Sequence, residues 1–147
     1  MHAYLGRRYC FSASHRLFCP EWDEVRNQEH FGKCANPHGH GHNYMAEVLV
    51  GGQVEGVTGM VLDLVELDAL VAREVLEPFG HSNLNLHPAF AGRVPTSEHV
   101  CMEIFNRIDA ALPPGMLRQV RLEETQNNFF IYRGSAPAPG SKGFVKQ

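Results

Sequence analysis

Two alternating segments set the limits on how this chain folds. In residues 3 to 14, Tyr9, Phe11 and Ala13 fall on one side of an extended chain, and His15 continues that side. From Asn43 to Val50, Tyr44, Ala46, Val48 and Val50 oppose Met45, Glu47 and Leu49. Each segment reads as a strand with one apolar face, and each needs a layer to cover that face. Gly51-Gly52, Gly56 and Gly59 then mark turns.

The covering layer is legible further on. Asp63 stands three residues before Glu66, a capping-box pattern with Asp in place of Ser or Thr. Leu64, Leu67, Val71 and Val75 follow at helical spacing, and Pro78 is expected to stop that helix. A second helix starts at Thr96 or Ser97, with Cys101, Ile104, Phe105, Ile108 and Leu112 on its apolar face. Pro113-Pro114-Gly115 ends it. Residues 117 to 125 alternate again, and Phe129 to Arg133 forms a last strand. Residues 18 to 33 read as a long polar loop, a feature often tied to function.

The order is ββααββ. It predicts an α+β domain over residues 1–133, with a four-stranded antiparallel sheet and two helices on one face, followed by a Pro- and Gly-rich tail over 134–147. The open edges of such a sheet invite pairing with another copy. With 147 residues, one domain needs no disulfide staples, and Cys10, Cys19, Cys34 and Cys101 form no CxxC pair. The opening "MHAYLGRRYCFSAS" has no long apolar stretch, so a reduced, cytoplasmic chain is expected. No apolar run reaches the ~20 residues of a membrane span, so no membrane partner is expected. A net charge of −3 without a basic run argues against nucleic acid.

Chemistry concentrates in "FGKCANPHGHGHNY", residues 31 to 44. His40 and His42 are two apart at the start of a strand, so their side chains share a side, with Cα atoms about 6.5 to 7 Å apart. Two imidazoles at that spacing suit a zinc ion, which keeps three protein ligands and one open position at catalytic sites. His15 could supply the third across a hairpin; His38, on the same alternation, is its rival. Cys34 could be a fourth ligand, or a thiolate base or nucleophile beside the ion, or a small buried hydrophobe. Glu124 shares the Val120–Leu122 side of its strand, where a lone carboxylate is costly to bury; read alone, it is a solvated edge glutamate.

Five segments, "FSASHRL" (11 to 17), "FGKCANPHGHGHNY" (31 to 44), "GHSNLN" (80 to 85), "PTSEHV" (95 to 100) and "EETQNN" (123 to 128), resemble motifs of the 6-pyruvoyltetrahydropterin synthase family in order and spacing. The resemblance covers residues 4 to 133. It implies the tunnelling fold: ββααββ subunits whose sheets join into a barrel of three, with two trimers stacked as a homohexamer and active sites between subunits. It implies a zinc ion on His15, His40 and His42, choosing His15 over His38. It makes Cys34 a general base, His81 a proton-relay partner, and Glu124 both the anchor of the pterin ring and a relay member. Thr96, Ser97 and Glu98 match a segment lining the substrate site.

The implied reaction turns 7,8-dihydroneopterin triphosphate into 6-pyruvoyltetrahydropterin and triphosphate. One departure stands out: the family's aspartate before the relay histidine is Gly80 here. Two other readings stand beside the first, and the second of them comes from Gly80. One is the related 6-carboxytetrahydropterin synthase of the queuosine route. The other is a zinc- and pterin-binding homologue with little turnover. The five residues between Cys34 and His40 match the pyruvoyl-forming branch.

Overall fold

The computed structural model describes residues 1–135; the expected tail beyond 135 lies outside the described residues. Strand β1 (His2–His15) pairs antiparallel with β2 (His40–Gln53) along its whole length, from His2 opposite Gln53 to His15 opposite His40. Strand β4 (Leu117–Thr125) pairs with β2 on the other side, and β5 (Asn128–Tyr132) pairs with β4. Tyr44, Ala46, Val48, Val50, Val120 and Leu122 are fully buried on one face. Helices α2 (Leu64–Val71) and α4 (Ser97–Ala111) cover that face with Leu67, Val71, Val100, Ile104 and Ile108. Burial of this apolar surface, at about 25 cal/mol per Å², is the main stabilising term.

The sheet has five strands, in the order β3-β1-β2-β4-β5, rather than the expected four. The addition is β3 (Ser82–Asn83), parallel to β1 at Ala13 and Ser14. Two residues are too few for alternation to register in a sequence. The supposed loop over 18 to 33 contains helix α1 (Glu24–Phe31), capped by Asp23, whose carboxylate accepts the Arg26 N–H at 2.8 Å. Only Asn27 of this helix is buried, so it shows no apolar stripe.

Pro78 does not stop the first covering helix. After Val71 the chain widens into a π-turn, Ala72–Leu76, and Pro78 sits inside the short final turn α3 (Glu77–Phe79). A wider turn ahead of a proline relieves the contact between its ring and the carbonyl one turn back. No helix among the described residues is long and apolar enough to cross a membrane.

Candidate metal centre and pterin site

The β1–β2 register brings three imidazoles together. His15 is opposite His40, Ala13 is opposite His42, and the three side chains point to the helix-covered face. Ring centroids lie 4.6 Å apart for His15–His40, 5.1 Å for His15–His42 and 4.7 Å for His40–His42. Gly39 makes the approach possible. It has φ of 69°, and a Cβ there would sit 3.0 Å from the His15 carbonyl oxygen.

His15 is 1% exposed, and its Nδ1 lies 2.8 Å from the Pro95 carbonyl oxygen. A carbonyl only accepts, so Nδ1 carries the proton and Nε2 turns a lone pair inward. That Nε2 lies 3.0 Å from Nε2 of His40. Burial pushes the pKa of His15 down, as it does for His42, where Glu124 works in the opposite direction. Neutral rings with inward lone pairs are what a metal ion needs.

Glu124 closes the group. Its Oε1 lies 2.9 Å from His42 Nε2, and its Oε2 accepts a hydrogen bond from the Ser97 hydroxyl. The His42–Glu124 contact is close but not aligned as a hydrogen bond, so His42 Nε2, like His40 Nδ1, is buried without a hydrogen-bonding partner among the described residues. One ligand atom from each of His15, His40, His42 and Glu124 falls within 4.8 Å of every other. Tetrahedral zinc with Zn–N bonds of about 2.0–2.1 Å needs nitrogens about 3.4 Å apart. The donor set and the orphaned nitrogens fit such an ion.

The other candidate residues are placed as follows. His38 is exposed and outside the group. Cys34 sits half-buried on the 3-10 turn Gly32–Ala35, not among the grouped donors. Burial, and then the Glu124 carboxylate, push its thiol pKa up. Thr96 caps α4 by accepting the His99 N–H, Ser97 is 2% exposed, and Glu98 is exposed. His81 is exposed, in the left-handed region with φ of 55°, and its N–H donates to Ser12 O at 2.6 Å. It lines an open polar depression of about 460 Å³ with Ser12, Ser14, Asn43 and Asn83.

Gly80 has its own physical cause. Its N–H closes the final helical turn onto Leu76 O at 2.9 Å, and a Cβ at this position would lie 2.4 Å from that oxygen. The backbone path therefore has no room for an aspartate.

Two site residues escaped the sequence reading. Tyr44 is fully buried, stacks on Phe11 with centroids 5.1 Å apart, and places its hydroxyl 3.4 Å from His15 Nδ1. Burial, and then Glu124, raise its pKa. Its place beside His40 and His42 was available in the alternation of "HGHNY". Pro95 acts through a backbone carbonyl, which leaves no mark in a sequence.

A family model described as 6-pyruvoyl tetrahydropterin synthase matches residues 4–135. The chain belongs to the 6-pyruvoyl tetrahydropterin synthase family. It is 42% identical over 133 residues to the 6-pyruvoyl tetrahydrobiopterin synthase of Pongo abelii, covering 90% of this chain and 92% of that one. Against the enzyme of the same name from Homo sapiens the identity is 41% over the same length and shares. The solved structure of Caenorhabditis elegans 6-pyruvoyl tetrahydropterin synthase superposes with a TM-score of 0.87 at 38% identity, covering 92% of this chain and 97% of the other. The fold is thus the tunnelling-fold subunit, and the chain is an enzyme of the synthase type, a lyase.

Proposed function

We propose that this chain is a zinc-dependent lyase that converts 7,8-dihydroneopterin triphosphate to 6-pyruvoyltetrahydropterin and triphosphate, working in the cytoplasm. The observation that carries the reading is the convergence of His15, His40, His42 and Glu124 within 4.8 Å, with orphaned ring nitrogens. His15, His40 and His42 would hold the zinc. When bound, zinc supplies a Lewis acid, a template for the substrate's side-chain hydroxyls and a positive charge that favours a nearby thiolate.

The remaining roles fall to the chain. Glu124 accepts the ring N–H and the exocyclic amino group of the pterin as a fork, which offsets the cost of burying its charge. The Ser97 hydroxyl fixes that carboxylate through Oε2. Cys34 takes and returns the proton at the substrate's side-chain carbon as general base. Thr96 and Glu98 flank Ser97 at the start of α4, and both are assigned to substrate binding with it.

His81 serves as the relay partner in an assembly of copies. Its imidazole makes no hydrogen bond among the described residues, and its depression is lined by His42 as well. The edge strand β5 leaves Phe129 52% and Ile131 45% exposed, and among the described residues β1 has no partner along most of its outer flank. Both edges suit sheet-to-sheet pairing into a trimeric barrel and a homohexamer with shared active sites.

Gly80 is the observation that favours a second reading, a zinc- and pterin-binding homologue with slow turnover, since an orienting carboxylate can be worth orders of magnitude in rate. One experiment separates the readings. Zinc-loaded protein is incubated with 7,8-dihydroneopterin triphosphate, and products are followed by mass spectrometry. The pyruvoyl product with released triphosphate is the expected result. A 6-carboxy product with acetaldehyde moves the chain to the queuosine branch. Tight pterin binding without triphosphate release supports the second reading.

A further inference from the structure

Four short contacts tie the segment after α3 to both halves of the site. Asn85 grips the backbone of Arg16 at both polar groups. Its Oδ1 accepts the Arg16 N–H at 2.6 Å, and its Nδ2 donates to the Arg16 carbonyl at 2.8 Å. Arg16 is the residue after His15. From there the Arg16 Nε donates to Ala35 O at 3.0 Å, and the Leu17 N–H donates to Cys34 O at 2.8 Å. The same segment is laid alongside β1 by the β3 pairing at Ala13 and Ser14.

The chain needs this brace for a physical reason. β1 ends at His15, so Arg16 and Leu17 have left the ladder that holds His15 on its β2 side. A backbone leaving a sheet has unpaired N–H and C=O groups and freedom at each φ and ψ. One asparagine side chain supplies a donor and an acceptor at the spacing a strand partner would offer. It thereby extends the sheet's constraint one residue past its end, where the next contacts fix the loop that carries the thiol.

We infer that Asn85 is a positioning residue of the site, holding the Arg16 backbone so that the His15 ring and the Cys34 thiol keep a fixed separation. This inference rests on the zinc reading for His15 but not for Cys34. Asn83, in the same turn, is the control. Its Oδ1 accepts the Asn85 N–H at 3.0 Å and caps the 3-10 turn Leu84–Leu86, so it holds the Asn85 backbone but its side chain makes no contact of its own with Arg16.

The test uses the full chain with Asn85→Ser, Asn85→Asp and Asn83→Ser. Serine is too short to grip Arg16, and water can satisfy the released groups. Aspartate keeps the acceptor for the Arg16 N–H. Two quantities are measured: zinc affinity by chelator competition, and the rate of Cys34 alkylation by iodoacetamide in metal-free protein, read by peptide mass spectrometry. Asn85→Ser is expected to weaken zinc about tenfold and to speed Cys34 alkylation at least threefold, with Asn85→Asp intermediate. Asn83→Ser is expected to lower Tm while leaving both quantities within twofold.

Unchanged zinc affinity and alkylation in the folded Asn85 variants overturn the inference, as do equal shifts in Asn83→Ser. If Asn85→Ser does not fold, Asn85→Asp decides, and twofold or less in both readouts counts against the inference. Wild-type protein that binds no zinc sinks the zinc reading instead, and the alkylation rates then decide the role of Asn85 alone.

Discussion

The Nε2 atoms of His15 and His40 face each other at 3.0 Å while Nδ1 of His15 is held 2.8 Å from the Pro95 carbonyl. With the His15 proton committed outward, that ring presents a lone pair to its partner. Two lone pairs at this distance repel unless a proton or a cation lies between them.

Removal of any one ring therefore weakens the metal. His15→Ala, His40→Ala and His42→Ala each lower bound zinc to well under one ion per chain after dialysis, and His38→Ala leaves it unchanged. Elemental analysis of the four purified variants checks this. Loss of zinc in His38→Ala, or retention in any of the other three, shows that the ligands are assigned wrongly.

Cys34 stands outside the donor group, so Cys34→Ser is expected to keep zinc and Tm while turnover falls by about 10²–10⁴, the usual range for a lost general base. Metal content, thermal unfolding and triphosphate release are measured side by side. A joint loss of metal and fold would make the thiol a structural ligand.

Glu124 is shared between His42 and Ser97, and its proposed partner is the pterin. Glu124→Gln keeps one oxygen but loses the charge that accepts a forked pair. It is expected to raise Kd for a pterin at least tenfold while zinc stays bound. Fluorescence titration with a pterin, alongside metal analysis, separates an anchor from a fourth ligand; zinc loss without a change in pterin affinity contradicts the anchor role.

Gly80→Asp puts back the family's carboxylate and still fails to speed the reaction, because its Cβ meets the Leu76 carbonyl oxygen at 2.4 Å. Local strain of this kind costs on the order of 1–3 kcal/mol. The expected result is a lower Tm with kcat no higher than that of the parent. A faster, equally stable variant would mean that the π-turn yields easily.

Cys101 gives the fold a pH dependence on the alkaline side. It is 1% exposed on α4, and burial raises its thiol pKa from 9.0 to about 11. A raised folded-state pKa means stability is fully present below pH 9 and is lost as pH rises towards 11, since the unfolded thiol ionises first. At pH 10 the loss is about 1 kcal/mol, at 1.36 kcal/mol per pKa unit. Urea unfolding of the parent and Cys101→Ala at pH 8 and pH 10 reads it as the difference of differences. Equal losses in both proteins rule out Cys101 as the cause.

How far the sequence could be read depends on what each element is made of. β1, β2 and β4 were legible because one face of each packs against helices and alternates accordingly. Helix α1 was not, since it docks through the side chain of Asn27, which bonds to Cys19, Trp22 and Asp23, and not through an apolar stripe. In the site, the spacing of His40 and His42 was local information. The nearness of Glu124 to His42 was not, because it depends on the β2–β4 register, which sets Met45 opposite Glu123. The Pro95 carbonyl and the Asn85 grip join residues 80 and 69 positions apart, which no short motif encodes.

The reach from His15 to Pro95 also orders events in the life of the chain. A growing polypeptide that has emerged only through β2 already carries all three imidazoles, yet the His15 ring has nothing to fix which nitrogen keeps its hydrogen. That choice waits until the start of α4 has packed down on the sheet. An ion held as proposed would therefore be a late arrival, captured by a nearly finished subunit, and a truncated nascent chain would compete poorly for it.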